Sequence, residues 1–291
     1  MKVTAPALLA LAACASTPSA RRFEYAEMHM GTFARIVLYA PSPEAADAAA
    51  RAAFAEIARL DRMMSDYRTD SELNSLPGRA SPELIEVLSA SRRFSEWSDG
   101  AFDVTVGPLV ADLRRGRPPT REALSLVGWR RVEIDGDAVR FPPGTKLDLG
   151  AIAKGYAADR ALRALGHPCA LVEIGGDLAL GDPPPGGAAW RIALPDGRAL
   201  LASRCGVACS GHAERGAHIV DPRTGTPVTR TTLVVLAARN GMTADALATA
   251  LSVLAPQDGL RLANRLGAQA FIRGRDGHAQ TEGFAALLAP R

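Results

Sequence analysis

One stretch in the middle of the chain, L-D-L-G-A-I-A-K-G-Y-A-A-D from Leu147 to Asp159, restricts the fold more than any other. Its pattern predicts a short apolar strand end, a tight turn and then a helix. Gly150 and Gly155 permit close backbone approach at the two edges of the turn. Ala151, Ala153, Ala157 and Ala158 leave space beside it, and Asp148 and Lys154 put one acid and one base next to that space. Two readings follow. The turn either packs a helix tightly on a sheet or receives a polar, phosphate-bearing ligand. Residue types alone leave both open.

The chain begins with Met1-Lys2, a short apolar run from Val3 to Ala13, and L-A-A-C ending at Cys14. The run is too short for a stable membrane-spanning helix but suits a signal peptide. L-A-A-C resembles a bacterial lipobox, in which the cysteine is lipidated and becomes the first mature residue; cleavage after a small residue such as Ala20 is the alternative. Residues 1–13 are therefore expected as a lipoprotein signal peptide, 14–25 as a flexible tether, and 26–291 as the folded domain. That places the protein in the bacterial cell envelope, outside the cytoplasm and lipid-anchored. With Ala15 in the second mature position and Ser16 in the third, neither of them Asp, an outer-membrane anchor is favoured if the cell has two membranes. Cys205 and Cys209 lie in what reads as extended chain, where their separation spans ~13 Å, too far for a disulfide without a turn. No required disulfide and no thiolate metal site are expected.

The roughly 275 residues beyond Cys14 can bury a large core as one domain or two closely packed lobes. Apolar residues are 47%, charged residues 22% and the formal net charge is +3, with acids and bases interspersed. That balance gives no argument for a nucleic-acid partner. Periodicity and caps predict a strand over Phe33–Ala40 and helices over Pro43–Met64 and from Ser81-Pro82 to Trp97. Asp66 to Pro77 reads as a polar loop. A short helix starts at Thr120, a hairpin turns at Asp135-Gly136, and the central helix closes at Gly166. Strands are expected over Ala170–Ile174, Trp190–Leu194, Leu200–Ala208 and Thr232–Ala238, then helices over Thr243–Leu254 and Gln257–Leu266 and a closing strand or two. Strands and helices mixed without strict alternation define an α+β class.

Asp245 and Thr249 lie one turn apart on a single helix face and offer two hard oxygen ligands suited to Mg²⁺. Equally, the pair is a first-turn Asp favoured by the helix dipole and a Thr bonded back to a carbonyl. His218, beside Asp221 and Arg223, could accept a hydroxyl proton or be a surface histidine. Gly175-Gly176-Asp177 follows a strand, where backbone can meet ligand. Tyr67 and Phe102 could flank a planar ring or be packed.

Taken in order, these pieces make a longer pattern: M-G-T at Met30, S-D-Y-x-x-D-S-E-L at Ser65, G-A-F-D-V-T-V-G-P-L at Gly100 and the Leu147 stretch. G-G-D-L at Gly175, S-G-H-A-E-R at Ser210, H-I-V-D-P-R-T-G-T-P-V at His218 and A-D-A-L-A-T-A-L at Ala244 complete it. The pattern resembles the ApbE family of flavin transferases over nearly the whole mature chain. The resemblance implies a two-lobed, T-fold-like α+β architecture with FAD and Mg²⁺ in the cleft between lobes. It implies transfer of FMN from FAD to a Thr or Ser hydroxyl of an extracytoplasmic redox protein, through a phosphoester bond, with release of AMP. Carried over residue by residue, it makes Met30, Tyr67, Ala101, Phe102, Asp103, Asp148, Lys154 and Ile219 FAD contacts. Asp245, Thr249 and the Ala151 carbonyl become the metal ligands, and His218 the base. A homodimer is left open.

Three residues depart from the family pattern: Glu173 replaces a usual Asn and adds a charge near the cleft, Cys209 replaces a Thr, and His212 stands where Asp or Asn is common. Two rival functions remain: a Mg²⁺-dependent FAD pyrophosphatase that uses water at the same phosphorus, and a non-enzymatic FAD-binding lipoprotein, which would need no base. The anchor is directly testable. Cys14→Ala should move the protein from the membrane to a soluble extracytoplasmic fraction on cell fractionation; retention in the membrane would put the anchor elsewhere.

Overall fold

Alternation of inward and outward side chains sets up the first hairpin. A computed structural model describes residues 20–211, 219–229 and 231–290. Strands β1 (Arg21–His29) and β2 (Thr32–Ala40) pair antiparallel in register from Arg21↔Ala40 to His29↔Thr32. Ala34, Ile36 and Leu38 point to one face and are fully buried, while Phe33, Arg35 and Val37 point to the other. Helix α1 (Pro43–Met64) covers the first face, started by Ser42, whose hydroxyl accepts the Ala45 N–H at 3.3 Å.

The chain then leaves the sheet. Strand β3 (Gly78–Arg79), α2 (Pro82–Trp97), α3 (Gly107–Arg114), α4 (Arg121–Ser125), β4 (Glu133–Asp135) and β5 (Ala138–Arg140) make the second body. Ser81 caps α2 through the Leu84 N–H, Thr120 caps α4 through the Ala123 N–H, and the three strands pair in the order β3-β5-β4. Helix α5 (Ala153–Ala164) brings the chain back. It leads to β6 (Ala170–Ile174), β7 (Asp177–Leu180), β8 (Trp190–Ala193), β9 (Ala199–Ala202), β10 (Cys205–Gly211) and β11 (Thr231–Ala238). Helices α6 (Gly241–Val253) and α7 (Pro256–Arg265) and strands β12 (Gln269–Gly274) and β13 (Gly277–Gln280) finish the fold.

The main sheet runs β1-β2-β6-β7-β10-β11-β12-β13, all neighbours antiparallel. Its inner face packs on α1, α5, α6 and α7 through residues such as Ile36, Ile57, Val172, Val234 and Leu251. Its outer face packs on the separate β8-β9 pair through Val37, Leu178, Val235, Trp190 and Phe284. The result is the expected α+β class, with a cleft where the second body meets the sheet.

Several boundaries differ from the sequence expectation, each for a local reason. Strand β1 starts at Arg21, inside the stretch expected as tether, because the edge strand needs only one buried face: Phe23 and Tyr25 pack inward, and Tyr25 Oη donates to Asp47 at 2.5 Å. The single strand expected over Leu200–Ala208 is two strands in different sheets. Arg204, with φ +53°, turns the chain between them. No strand precedes the central turn, since the Asp148 N–H pairs with the Val104 carbonyl at 2.7 Å. Strand β7 and helix α3 were not expected.

Helices α5 and α6 touch through glycine. A Cβ on Gly155 would lie 2.2 Å from the Gly241 carbonyl oxygen and 2.8 Å from Asp245 Cβ. The Asp159 carboxylate, from α5, accepts the first N–H groups of α6, from Gly241 at 2.7 Å and Met242 at 2.9 Å. Gly155→Ala should therefore force the helices apart and lower stability by about 1–3 kcal/mol, read as a lower urea midpoint; an unchanged midpoint would mean the crossing relaxes freely.

Candidate functional site

The cleft encloses about 1430 Å³. Its deep end is built from the N-terminal turn of α5, the β6–β7 turn and the middle of α6. Gly175 and Gly176, at φ +56° and +92°, form a two-residue turn that sets Ile174 opposite Asp177. That turn aims Asp177 at Lys154: the ammonium lies 2.8 Å from Asp177 Oδ2 and 3.4 Å from Asp245 Oδ2, and it donates to the Gly150 carbonyl at 2.8 Å. The three side chains are only 12%, 8% and 5% exposed. Asp245 also accepts the Gly155 N–H at 3.0 Å, supplying from α6 a cap that Ile152 cannot give α5.

Asp148 sits at the side of this cluster. Its carboxylate accepts the Gly150 N–H at 2.8 Å and lies 3.3 Å from Arg114 Nη2, while Arg114 Nη1 pairs with Asp66. Burial pushes the Asp148 carboxyl above the usual range, with Asp66 acting the same way; the Gly150 N–H, Arg114 and Lys154 oppose the shift. Glu173 does not leave a bare charge in the cleft, because Arg35 stands opposite it in the sheet register, with Nε at 2.9 Å and Nη2 at 2.8 Å.

Of the residues singled out in the sequence, Ala101, Phe102, Asp103, Asp148, Ala151, Lys154, Ile219, Asp245 and Thr249 all line this cleft. The Phe102 ring, however, is 1% exposed and packs edge-on against Phe94 at 5.9 Å. It belongs to the core. The buried Asp103 carboxylate is committed to Thr105 N, Thr105 Oγ1 and Trp129 N, and burial raises its pKa. This turn therefore has mainly main-chain atoms to offer a ligand. Met30 and Tyr67 do not line the cleft but meet beside it on Asp61, which accepts Tyr67 Oη at 2.7 Å and the Met30 N–H at 3.4 Å. Thr32 and Phe33 of the same hairpin do line it. His218, His212 and Cys14 lie outside the described residues.

Sequence reasoning missed Arg114 and Arg35 altogether, while Asp177 of G-G-D was, with Asp221, the next candidate for the base after His218. Only G-G-D signalled Asp177. Nothing in L-R-R-G-R marks Arg114, since its partners come from two other segments. The donors fit a hard divalent cation in part: Asp245, Thr249 and Ala151 all line the cleft and offer a carboxylate, a hydroxyl and a carbonyl oxygen. Among the described residues no three His, Cys, Asp or Glu side chains converge as a metal cage, so a cation here would draw further ligands from water or substrate.

Residues 30–272 match the model of the ApbE family. The chain is 32% identical over 254 residues to the FAD:protein FMN transferase of Vibrio cholerae, covering 74% of this chain and 76% of that one. The apo crystal structure of the Pseudomonas stutzeri flavinyl transferase ApbE superposes with a TM-score of 0.80 at 31% identity, covering 93% of this chain and 99% of that one. The crystal structure of the ApbE protein of Thermotoga maritima gives 0.84 at 28% identity, covering 93% and 100%. The protein belongs to the ApbE family.

The lysine cluster makes a testable demand. Lys154→Met leaves Asp177 and Asp245 buried without their shared ammonium, which should cost roughly 3–5 kcal/mol and lower the melting temperature. Added Mg²⁺ should restore more stability to the variant than to the parent. An unchanged melting temperature without Mg²⁺ would show that the ammonium does not balance these carboxylates.

Proposed function

We propose that the protein transfers FMN from FAD to another protein, as the name FAD:protein FMN transferase describes for its relatives, and that the acceptor group is a Thr or Ser hydroxyl. The observation that carries this reading is the Lys154–Asp177–Asp245 cluster at the N-terminus of α5, opening into a cleft large enough for a dinucleotide. A helix N-terminus and an ammonium together favour phosphate oxygens. In this reading Met30, Tyr67, Ala101–Asp103, Asp148, Lys154 and Ile219 hold FAD, Tyr67 by its exposed ring and the 101–103 turn by main chain.

Asp245, Thr249 and the Ala151 carbonyl would hold Mg²⁺, which when bound neutralises charge on the diphosphate. Lys154 binds and orients phosphate oxygens, with Asp177 fixing its ammonium. The acceptor hydroxyl oxygen attacks the FMN-side phosphorus; the new O–P bond forms as the bridging P–O bond breaks. The hydroxyl proton passes to His218, and AMP leaves as a phosphate monoester. The anchored N-terminus at Cys14 would hold this reaction in the cell envelope, where the acceptor resides.

The test uses the full chain, FAD, Mg²⁺ and envelope proteins from a host strain deleted for it. A protein band with covalent flavin fluorescence on a denaturing gel supports transfer; free FMN without a band would make the protein a pyrophosphatase. His218→Asn should leave FAD binding nearly intact and lower transfer at least ~100-fold. The parent rate should rise with pH as the base loses its proton, because only neutral imidazole accepts one. Transfer at the parent rate in the variant would remove His218 as base.

A further inference from the structure

The cleft is larger than one small ligand needs, and its two ends differ in chemistry. A single small-molecule site occupies roughly 300–1,000 Å³, against about 1430 Å³ here. The deep end carries Asp148, Asp177, Asp245 and Lys154. The outer end runs over the outer face of β2 and β6 and along β8 and is lined by four arginines, Arg22, Arg35, Arg191 and Arg273. Arg22 and Arg35 pair with Glu24 and Glu173, and Arg273 lies 3.8 Å from Asp196. Arg191 is exposed and has no ion pair among the described residues.

The outer face is covered only in part. Strand β8 shields it where Trp190 lies 6.0 Å from Tyr39, but towards the β1–β2 turn nothing among the described residues covers it. There Phe33 is 67% exposed and its cross-strand partner Met28 is 59% exposed. Single exposed apolar side chains need no explanation, but a paired set at the mouth of a cleft marks a contact surface. Behind the pair, Glu24 bonds Arg22 at 2.6 Å and Arg35 at 3.2 Å, and Arg35 bonds Glu173, tying β1, β2 and β6 into one firm wall.

We infer that this outer half is the docking site of the acceptor protein. Its hydroxyl-bearing segment lies as extended chain from the Met28–Phe33 pair to Lys154, with an apolar side chain on the pair and an acidic residue towards Arg191. The inference rests on the transferase reading, which requires a second protein to reach the deep cluster. The outer half is continuous with that cluster, and the exposed Arg191 guanidinium, outside any ion pair among the described residues, selects an acidic group on the partner. An apolar anchor beside a charged rim is the usual anatomy of such a contact.

Phe33→Ser and Arg191→Glu, both at exposed positions, test it separately in the same envelope-protein assay. Each should lower covalent flavinylation at limiting acceptor at least about tenfold, with FAD affinity, slow FMN release and melting temperature within about twofold or a degree or two of the parent. Flavinylation at the parent rate in both variants overturns the inference. So does an FAD affinity that falls in parallel, which would give the outer half to the flavin. A parent dimer that either substitution converts to monomer, with flavinylation unaffected, would give the face to a second copy of the chain. If the parent releases FMN and labels no protein, the transferase reading itself fails, and this inference with it.

Discussion

Two helices that cap each other hold the site together. Asp245 of α6 accepts an N–H from the first turn of α5, and Asp159 of α5 accepts two from the first turn of α6. Each carboxylate meets the positive end of the neighbouring helix, where exposed N–H groups and the dipole both favour an anion. The exchange works only at close range, which the Gly155–Gly241 contact allows. It fixes α6 along and about its axis, so Asp245 and Thr249 reach the cleft wall at a set height. Lys154 lies against Asp245 in that placement, and the β6–β7 turn brings Asp177 to the same ammonium.

The second constraint is charge. Asp148, Asp177 and Asp245 are nearly buried in a small volume, and two cations, Lys154 and Arg114, answer them from different elements. Carboxylates so confined repel unless cations stand between them, so the deep cleft is poised for added positive charge. Hard oxygen donors, an ammonium and a helix N-terminus around one space suit a diphosphate accompanied by a divalent cation. At the other end of the cleft, the Arg35–Glu173 pair removes the extra negative charge that Glu173 suggested in isolation.

Much of the cleft was legible residue by residue because its motifs are contiguous. The Leu147–Asp159 stretch and the A-D-A-L-A-T-A-L segment each carry their own glycine spacing or helical period, and both end up in the cleft wall. For Phe102 the sequence left two readings open, because a phenyl ring in a polar loop suits a ligand or the core until the Phe94 ring is found against it. Arg114 was invisible because its partners Asp66 and Asp148 are far from it in the chain, and no local pattern records them.

The sequence by itself determined the elements whose period and caps are local. Helix α1 matches Pro43–Met64, α2 begins after Ser81, and β6 matches Ala170–Ile174, because hydrophobic period and capping act within a few residues. Only the tertiary structure decided what depends on a neighbour. R-R-F-E-Y-A-E-M-H became an edge strand because β2 offered its edge. Leu200–Ala208 broke in two because one half pairs with β8 and the other with β7. Arg35 found Glu173, 138 positions away, through sheet register alone. Side-chain charge and shape are written in the sequence, but the partner that gives them meaning is set by which strands and helices come to lie side by side.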